Sequence, residues 1–245
     1  FIMGFGLYGS TFIIPLYTQS ILGWTAQEAG LLLVPSSIMI AVMMPVVGQM
    51  IQRGVSQKYL IAGGMALFFL YCLLSQKLIT PATSADNFFW VLMLRGVGLG
   101  FLAVPVSTMA LSTLKGEQIG QGAAFSGMMR QLGGSFGVAI ISTYISRQNM
   151  QHRSDLVSHL RVDDPAVQQR IAALQQGMMS KGMPSNTALS SAYKLIDNSV
   201  SLQATIMSYM DVFITIGLMF LVCVPLVLIF IKRSKKRVAL ADAAH

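Results

Sequence analysis

Apolar positions in this chain come in six runs of about 20 residues, separated by short polar links and one long polar segment. About 20 apolar residues suffice for a helix to cross a bilayer. The runs therefore predict spans over residues 1–22, 29–51, 59–78, 88–111, 121–145 and 204–231. The links at 23–28, 52–58, 79–87 and 115–120 are short. Residues 147–203 are polar and far longer than a connection needs.

The spans differ in what interrupts them. In the first, Tyr8, Thr11, Pro15, Thr18 and Gln19 recur at helical spacing and predict one polar stripe. It serves either ordinary helix packing or a cavity. Pro35, Ser36, Ser37, Pro45 and Gly48 predict a kink in the second. The third is plain apart from Gly63 and Gly64, and reads as peripheral. Arg95 stands in the fourth beside Gly96, Gly98 and Gly100, ahead of Pro105. It sits roughly 10 Å along the axis at 1.5 Å per residue, within reach of the interface by snorkelling or free to serve a close-packed face.

The fifth span organises the rest. It carries Arg130 near its middle, with Gly133, Gly134 and Gly137 following. Gly133 and Gly137 form a small-xxx-small pair that admits a neighbouring backbone. An arginine at that depth faces protein or water, either to pin neighbouring helices or to serve a working polar face. Asp211 lies near the start of the sixth span, at a depth that would permit a link to Arg95.

In the long segment, Asp164 and Pro165 read as an N-cap and first helical residue, with an amphipathic helix over 166–179. Ser185 or Asn186 can cap a further helix that runs on into the membrane. His152 and His159 lack any wider ligand pattern, so they read as polar surface and no metal is expected.

Composition agrees with this division. The chain is 54% hydrophobic and 11% charged, against roughly 25% charged in soluble domains. It reads as an all-α, polytopic membrane protein, since a barrel would show alternating ten-residue segments. Membrane topology accounts for much of the +8 net charge without nucleic acid, because five of 17 basic residues lie in the 232–245 tail. Basic residues near span ends number eight on the tail side and none in the two opposite links. The tail is thus expected in the cytoplasm and the 147–203 segment outside. Cys72 and Cys223 fall inside spans and read as small core hydrophobes. No span holds a nucleophile–base set, so an enzyme is not expected. The start at Phe1, within an apolar run, reads as a piece of a longer protein. The expected organisation is 1–146 with five spans, 147–203 as an outer loop with amphipathic helices, 204–231 as span six, and 232–245 as a basic tail.

Three stretches carry a family resemblance: IPLYTQSILGWTAQEAGLLLVPSS at 14–37, RGVGLGFLAVPVSTMAL at 95–111, and GAAFSGMMRQLGGSFGVAI at 122–140. In order and spacing they resemble the C-terminal half of fourteen-helix drug:proton antiporters of the EmrB and QacA type, within the major facilitator superfamily. The long segment before the last span and the D-x-F at Asp211 fit as well. The superfamily's loop signature survives only as Gly48 and Arg53 in GQMIQRGVSQK.

The resemblance implies one half of a bundle that rocks against a missing N-terminal half, in a bacterial inner membrane with the C-terminus cytoplasmic. Spans one and four would line the cavity, two and five border the other half, and three and six lie outside. It implies a substrate cavity at Tyr8, Thr11, Tyr17, Gln19 and Arg95. It further implies an inter-half or gating face at Arg130, Gly133, Gly134, Gly137 and Arg53, and an outer ionic contact at Asp211. The expected substrates are hydrophobic small molecules, exported against a proton gradient with no cofactor. The lipid bilayer is an expected partner, as are a periplasmic adaptor and an outer-membrane channel. Export of a siderophore, lipid or metabolite, or service as a membrane anchor or assembly subunit, is the alternative.

Overall fold

The computed structural model describes residues 1–80, 85–116, 118–160 and 164–230. Among them there are helices and no strand: α1 Ile2–Ser20, α2 Ala26–Leu32, α3 Val34–Gln52, α4 Gln57–Leu78, α5 Ala85–Leu111, α6 Gln118–His159, α7 Pro165–Met179 and α8 Ser185–Phe230. The basic tail lies outside the described residues, as does Ile231 at the end of the sixth run.

Local chemistry sets the helix ends. Thr25 caps α2 in a reciprocal box with Glu28, whose Oε2 accepts from the Thr25 N–H at 2.8 Å. This starts the helix at Ala26, three residues before the expected span. The break then comes at Leu33, just ahead of Pro35, while Pro45 is carried inside α3. At the far end of α3 the chain turns through Gly54, at φ +90°, and Val55 N–H reaches Met50 O at 3.0 Å. That left-handed turn suits glycine. Asp164 caps α7 as expected, accepting from Ala166 N–H at 2.8 Å.

Pairs of facing residues give the helix directions. Tyr17 faces Phe88 and Ser10 faces Arg95, so α1 and α5 are antiparallel. Gly96 meets Ser36 and Gly100 meets Met43, so α3 runs parallel to α5. α1 and α6 are parallel, with Phe1 on Gly133 and Phe5 on Gly137. Phe68 packs tilted on Phe220 at 4.4 Å and Tyr71 edge-on to Phe213 at 6.0 Å, which sets α8 antiparallel to α4. The buried core is this aromatic seam plus Tyr17, Leu92, Leu99 and Leu102. Cys72 and Cys223 are buried and free, in keeping with their reading as core residues.

Among the described residues, four segments are long and apolar enough to cross a membrane: Ala26–Gln52, Gln57–Leu78, Asp86–Leu111 and Ser185–Ile229. α1 and the first part of α6 are diluted by glycines and polar residues, the features that let them pack closely.

The 147–203 segment differs from a loop. α6 runs unbroken from Gln118 to His159 and α8 from Ser185 to Phe230. At 1.5 Å per residue these helices are about 63 and 69 Å long, roughly twice a hydrocarbon core of about 30 Å. The segment is thus built from helix extensions, with α7 folded back on α8.

Candidate functional site

Three helices converge on Arg95. It is 3% exposed. Its Nε donates to Ser10 Oγ at 3.0 Å, its Nη1 to Ser36 Oγ at 2.9 Å, and its Nη2 to Leu7 O at 3.4 Å and to Thr11 Oγ1. Every one of these acceptors is a neutral oxygen, and no carboxylate among the described residues pairs with it. Burying a charge without a counterion is costly, and a rigid five-donor fork spreads it over several oxygens. Gly96 is the reason the guanidinium gets there: a Cβ at that position would meet the Ser36 carbonyl at 2.5 Å, so α5 lies directly on α3.

Arg95 is buried against α1 and α3, and it does not touch Asp211. Asp211 instead accepts from Gln148 Nε2 at 3.0 Å and contacts His152 Nε2 at 2.7 Å across α6 and α8.

The α1 stripe divides as well. Tyr17 and Thr18 are buried. The Tyr17 hydroxyl donates to Thr80 O at 2.6 Å, and its ring packs edge-on to Tyr209 at 5.6 Å. Thr11 and Gln19 line a hollow of about 530 Å³ with Phe12, Pro15, Leu16 and Ser20. Tyr8 is on the outer face, 38% exposed, and donates to Gln131 Oε1 at 3.0 Å.

The α6 residues meet α1 and α5. The Phe1 carbonyl fills the space a Cβ on Gly133 would need, and the Tyr8 ring fills that of Gly134. A Cβ on Gly137 would lie 3.1 Å from Phe5 O. Arg130 Nη2 donates to Ser107 Oγ at 3.3 Å. Arg53 stands exposed at the C-cap of α3, apart from the others. Large apolar side chains stay exposed on α6 at Phe125, Met128, Leu132, Phe136 and Ile140, and on α3 at Val34, Ile38, Val42 and Val46.

Sequence reasoning missed the hydroxyl partners Ser10, Ser36 and Ser107. One signal was present: a buried arginine needs oxygen acceptors, and small hydroxyl residues on neighbouring spans supply them without bulk. The His152–Asp211 contact carried no such signal.

The description "Major Facilitator Superfamily" belongs to the family model that matches residues 1–138. Fatty acid resistance protein FarB of Neisseria gonorrhoeae is 26% identical over 92% of this chain and 43% of its own length. Colistin resistance protein EmrB of Acinetobacter baumannii is 23% identical over 96% of this chain and 45% of its own. The uncharacterized MFS-type transporter YhcA of Bacillus subtilis is 28% identical over 84% and 39%. The chain thus spans less than half the length of these relatives. They are transporters and resistance proteins, not enzymes. With the family model covering more than half of the chain, in a helical fold with several membrane-crossing segments, the chain belongs to the Major Facilitator Superfamily.

Proposed function

We propose that this chain supplies one half, the C-terminal one, of a proton-coupled exporter of hydrophobic compounds working by alternating access in a bacterial inner membrane. In this reading six helices, α1, α2–α3, α4, α5, α6 and α8, cross the membrane with the C-terminus cytoplasmic. The observation that carries it is the split character of α1. One side is clamped to the bundle through Arg95. The other presents Gln19, with Phe12, Pro15 and Leu16, to an open hollow of about 530 Å³ lined by α1 alone, while Thr11 at its edge belongs to the clamp. Lined by one helix, the hollow would become an enclosed site only once the missing half covers it, and a polar–apolar lining suits loose selection among hydrophobic substrates. The relatives' names, with fatty acid, colistin and multidrug resistance among them, are in keeping with this. The apolar stripes on α3 and α6 would then meet the partner half, with Gly133, Gly134 and Gly137 keeping α6 close to α1. Arg130 and Arg53 would act at that boundary. Outside the membrane, α7 and the helix extensions would meet an adaptor that leads to an outer-membrane channel.

The test uses the full-length transporter containing this chain, in everted vesicles loaded with a hydrophobic fluorescent cation. Gln19→Leu should lower proton-driven transport severalfold at unchanged abundance. Undiminished transport in that variant, or transport that persists when the proton gradient is collapsed, refutes the reading.

A further inference from the structure

A second hollow lies well away from the α1 face. It has a volume of about 380 Å³ and opens where α2 and α5 begin, with Trp24 and Phe89 among its walls. Leu31, Leu32 and Pro35 form its apolar side. Two carboxylates, Glu28 and Asp86, line the same space, and no basic side chain lines it. Nothing in the transport reading uses it.

Each part has an ordinary explanation that stops short. Capping of α2 occupies Glu28 Oε2, which binds both the N–H and the hydroxyl of Thr25 at 2.8 and 2.9 Å. It leaves Oε1 without a hydrogen bond among the described residues. Asp86 sits in the first turn of α5, where a negative charge favours the helix dipole, yet it has no ion-pair partner among the described residues. Helix chemistry also gives no reason for two aromatic side chains to line the same hollow as these acids. Both acids are exposed at the rim of the hollow, above its apolar side. Aromatic faces and carboxylates beside an apolar wall share one preference, for an ammonium cation with an attached hydrocarbon body.

Depth narrows the source of that cation. α3 and α5 are parallel, and the segments Ala26–Gln52 and Asp86–Leu111 both begin here. The hollow therefore lies at the level where headgroups meet hydrocarbon. Its surroundings face outward, with Leu31 60% and Trp90 73% exposed. We propose that this hollow binds the ammonium head of a membrane amphiphile, with the amine of an aminophospholipid between Glu28, Asp86 and the Trp24 ring and its chains along Leu31. A soluble amphiphilic cation offers the same chemistry.

The test uses the full chain in phosphatidylglycerol vesicles, in a Trp90→Phe background so that Trp24 reports alone. Phosphatidylethanolamine with brominated chains should quench Trp24 at a severalfold lower mole fraction than brominated phosphatidylglycerol. Hexyltrimethylammonium should relieve that quenching, and hexanesulfonate should not. Glu28→Gln, which keeps a capping acceptor, combined with Asp86→Asn should abolish the preference at unchanged helix content. Phe89→Leu should weaken it with both acids in place. Saturable, carboxylate-dependent binding of hexyltrimethylammonium without a lipid preference assigns the site to soluble amphiphiles. The proposal is overturned if neither probe binds saturably, or if binding survives loss of both carboxylates.

Discussion

Arg95 Nη1 donates to Ser36 Oγ at 2.9 Å, and this bond joins the fourth apolar run to the second. The same guanidinium reaches Ser10 on α1 at 3.0 Å. Three helices distant in sequence are thus held by one cation whose partners are neutral oxygens. A group bound this way fixes geometry more than it adds net stability, because desolvation offsets much of the attraction.

Breaking that clamp should have graded effects. Ser36→Ala leaves a charged donor short of one partner, and hydrogen bonds to charged groups are worth about 1.5–3 kcal/mol. Arg95→Lys keeps the charge but cannot serve four oxygens on two other helices at once, so it should be at least as damaging. Thermal unfolding in detergent measures both. Arg95→Lys melting with the wild type would mean that charge alone, and not the fork, is what the site needs.

The glycines divide into two classes that a single substitution separates. A Cβ on Gly4 would fall on the Arg130 carbonyl, whereas one on Gly127 would meet nothing within 4 Å. Backbone cannot yield as a side-chain tip can, and overpacking costs about 1–3 kcal/mol. Gly4→Ala should therefore lower the melting temperature. Gly127→Ala should hold or raise it, since alanine favours a helix by about 1 kcal/mol over glycine. Equal shifts for the two would contradict the close approach of α1 to α6.

Much of this fold was legible because apolar period and length report directly on burial in a bilayer. The helix at Pro165 was legible through its cap at Asp164, and the core cysteines through their position within spans. Three features were not. The break at Leu33 depends on the Thr25–Glu28 box, which shifts the helix start ahead of the apolar run. The continuity of α6 through Arg147 was hidden because a polar helix outside the membrane looks like loop in hydropathy. The division of the α1 stripe, with Thr18 inside and Tyr8 outside, depends on how α1 rotates against α5 and α6. Neighbours distant in sequence set that rotation, through Gly4 on Arg130 and Tyr17 on Thr80.

The His152–Asp211 contact at 2.7 Å ties α6 to α8. The side chains are 19% and 30% exposed, so the coupling should be about 0.2–1 kcal/mol. A double-mutant cycle with His152→Ala and Asp211→Ala, read by thermal unfolding in detergent, should give this coupling. Strictly additive single effects would show that the two side chains do not stabilise each other.

The extensions of α6 and α8 should behave as one rigid stalk. Beyond a hydrocarbon core of about 30 Å each has roughly half its length left over. An isolated helix of that size in water is marginal, and packing decides whether it holds. Here Arg153 Nη2 pairs with Asp197 Oδ1 at 2.7 Å, Asn149 Nδ2 donates to Thr205 Oγ1 at 2.7 Å, and α7 lies against α8. The ion pair is exposed and weak by itself, so the stalk rests on several such contacts together. Spin labels at Gln151 and Asn198 should give a narrow distance distribution in lipid bilayers. Asp197→Ala alone should broaden it only slightly, whereas deleting residues 165–179 should broaden it clearly. A broad distribution in the unmodified segment would return residues 147–203 to the status of a flexible loop, and with it remove the firm platform on which an adaptor could dock.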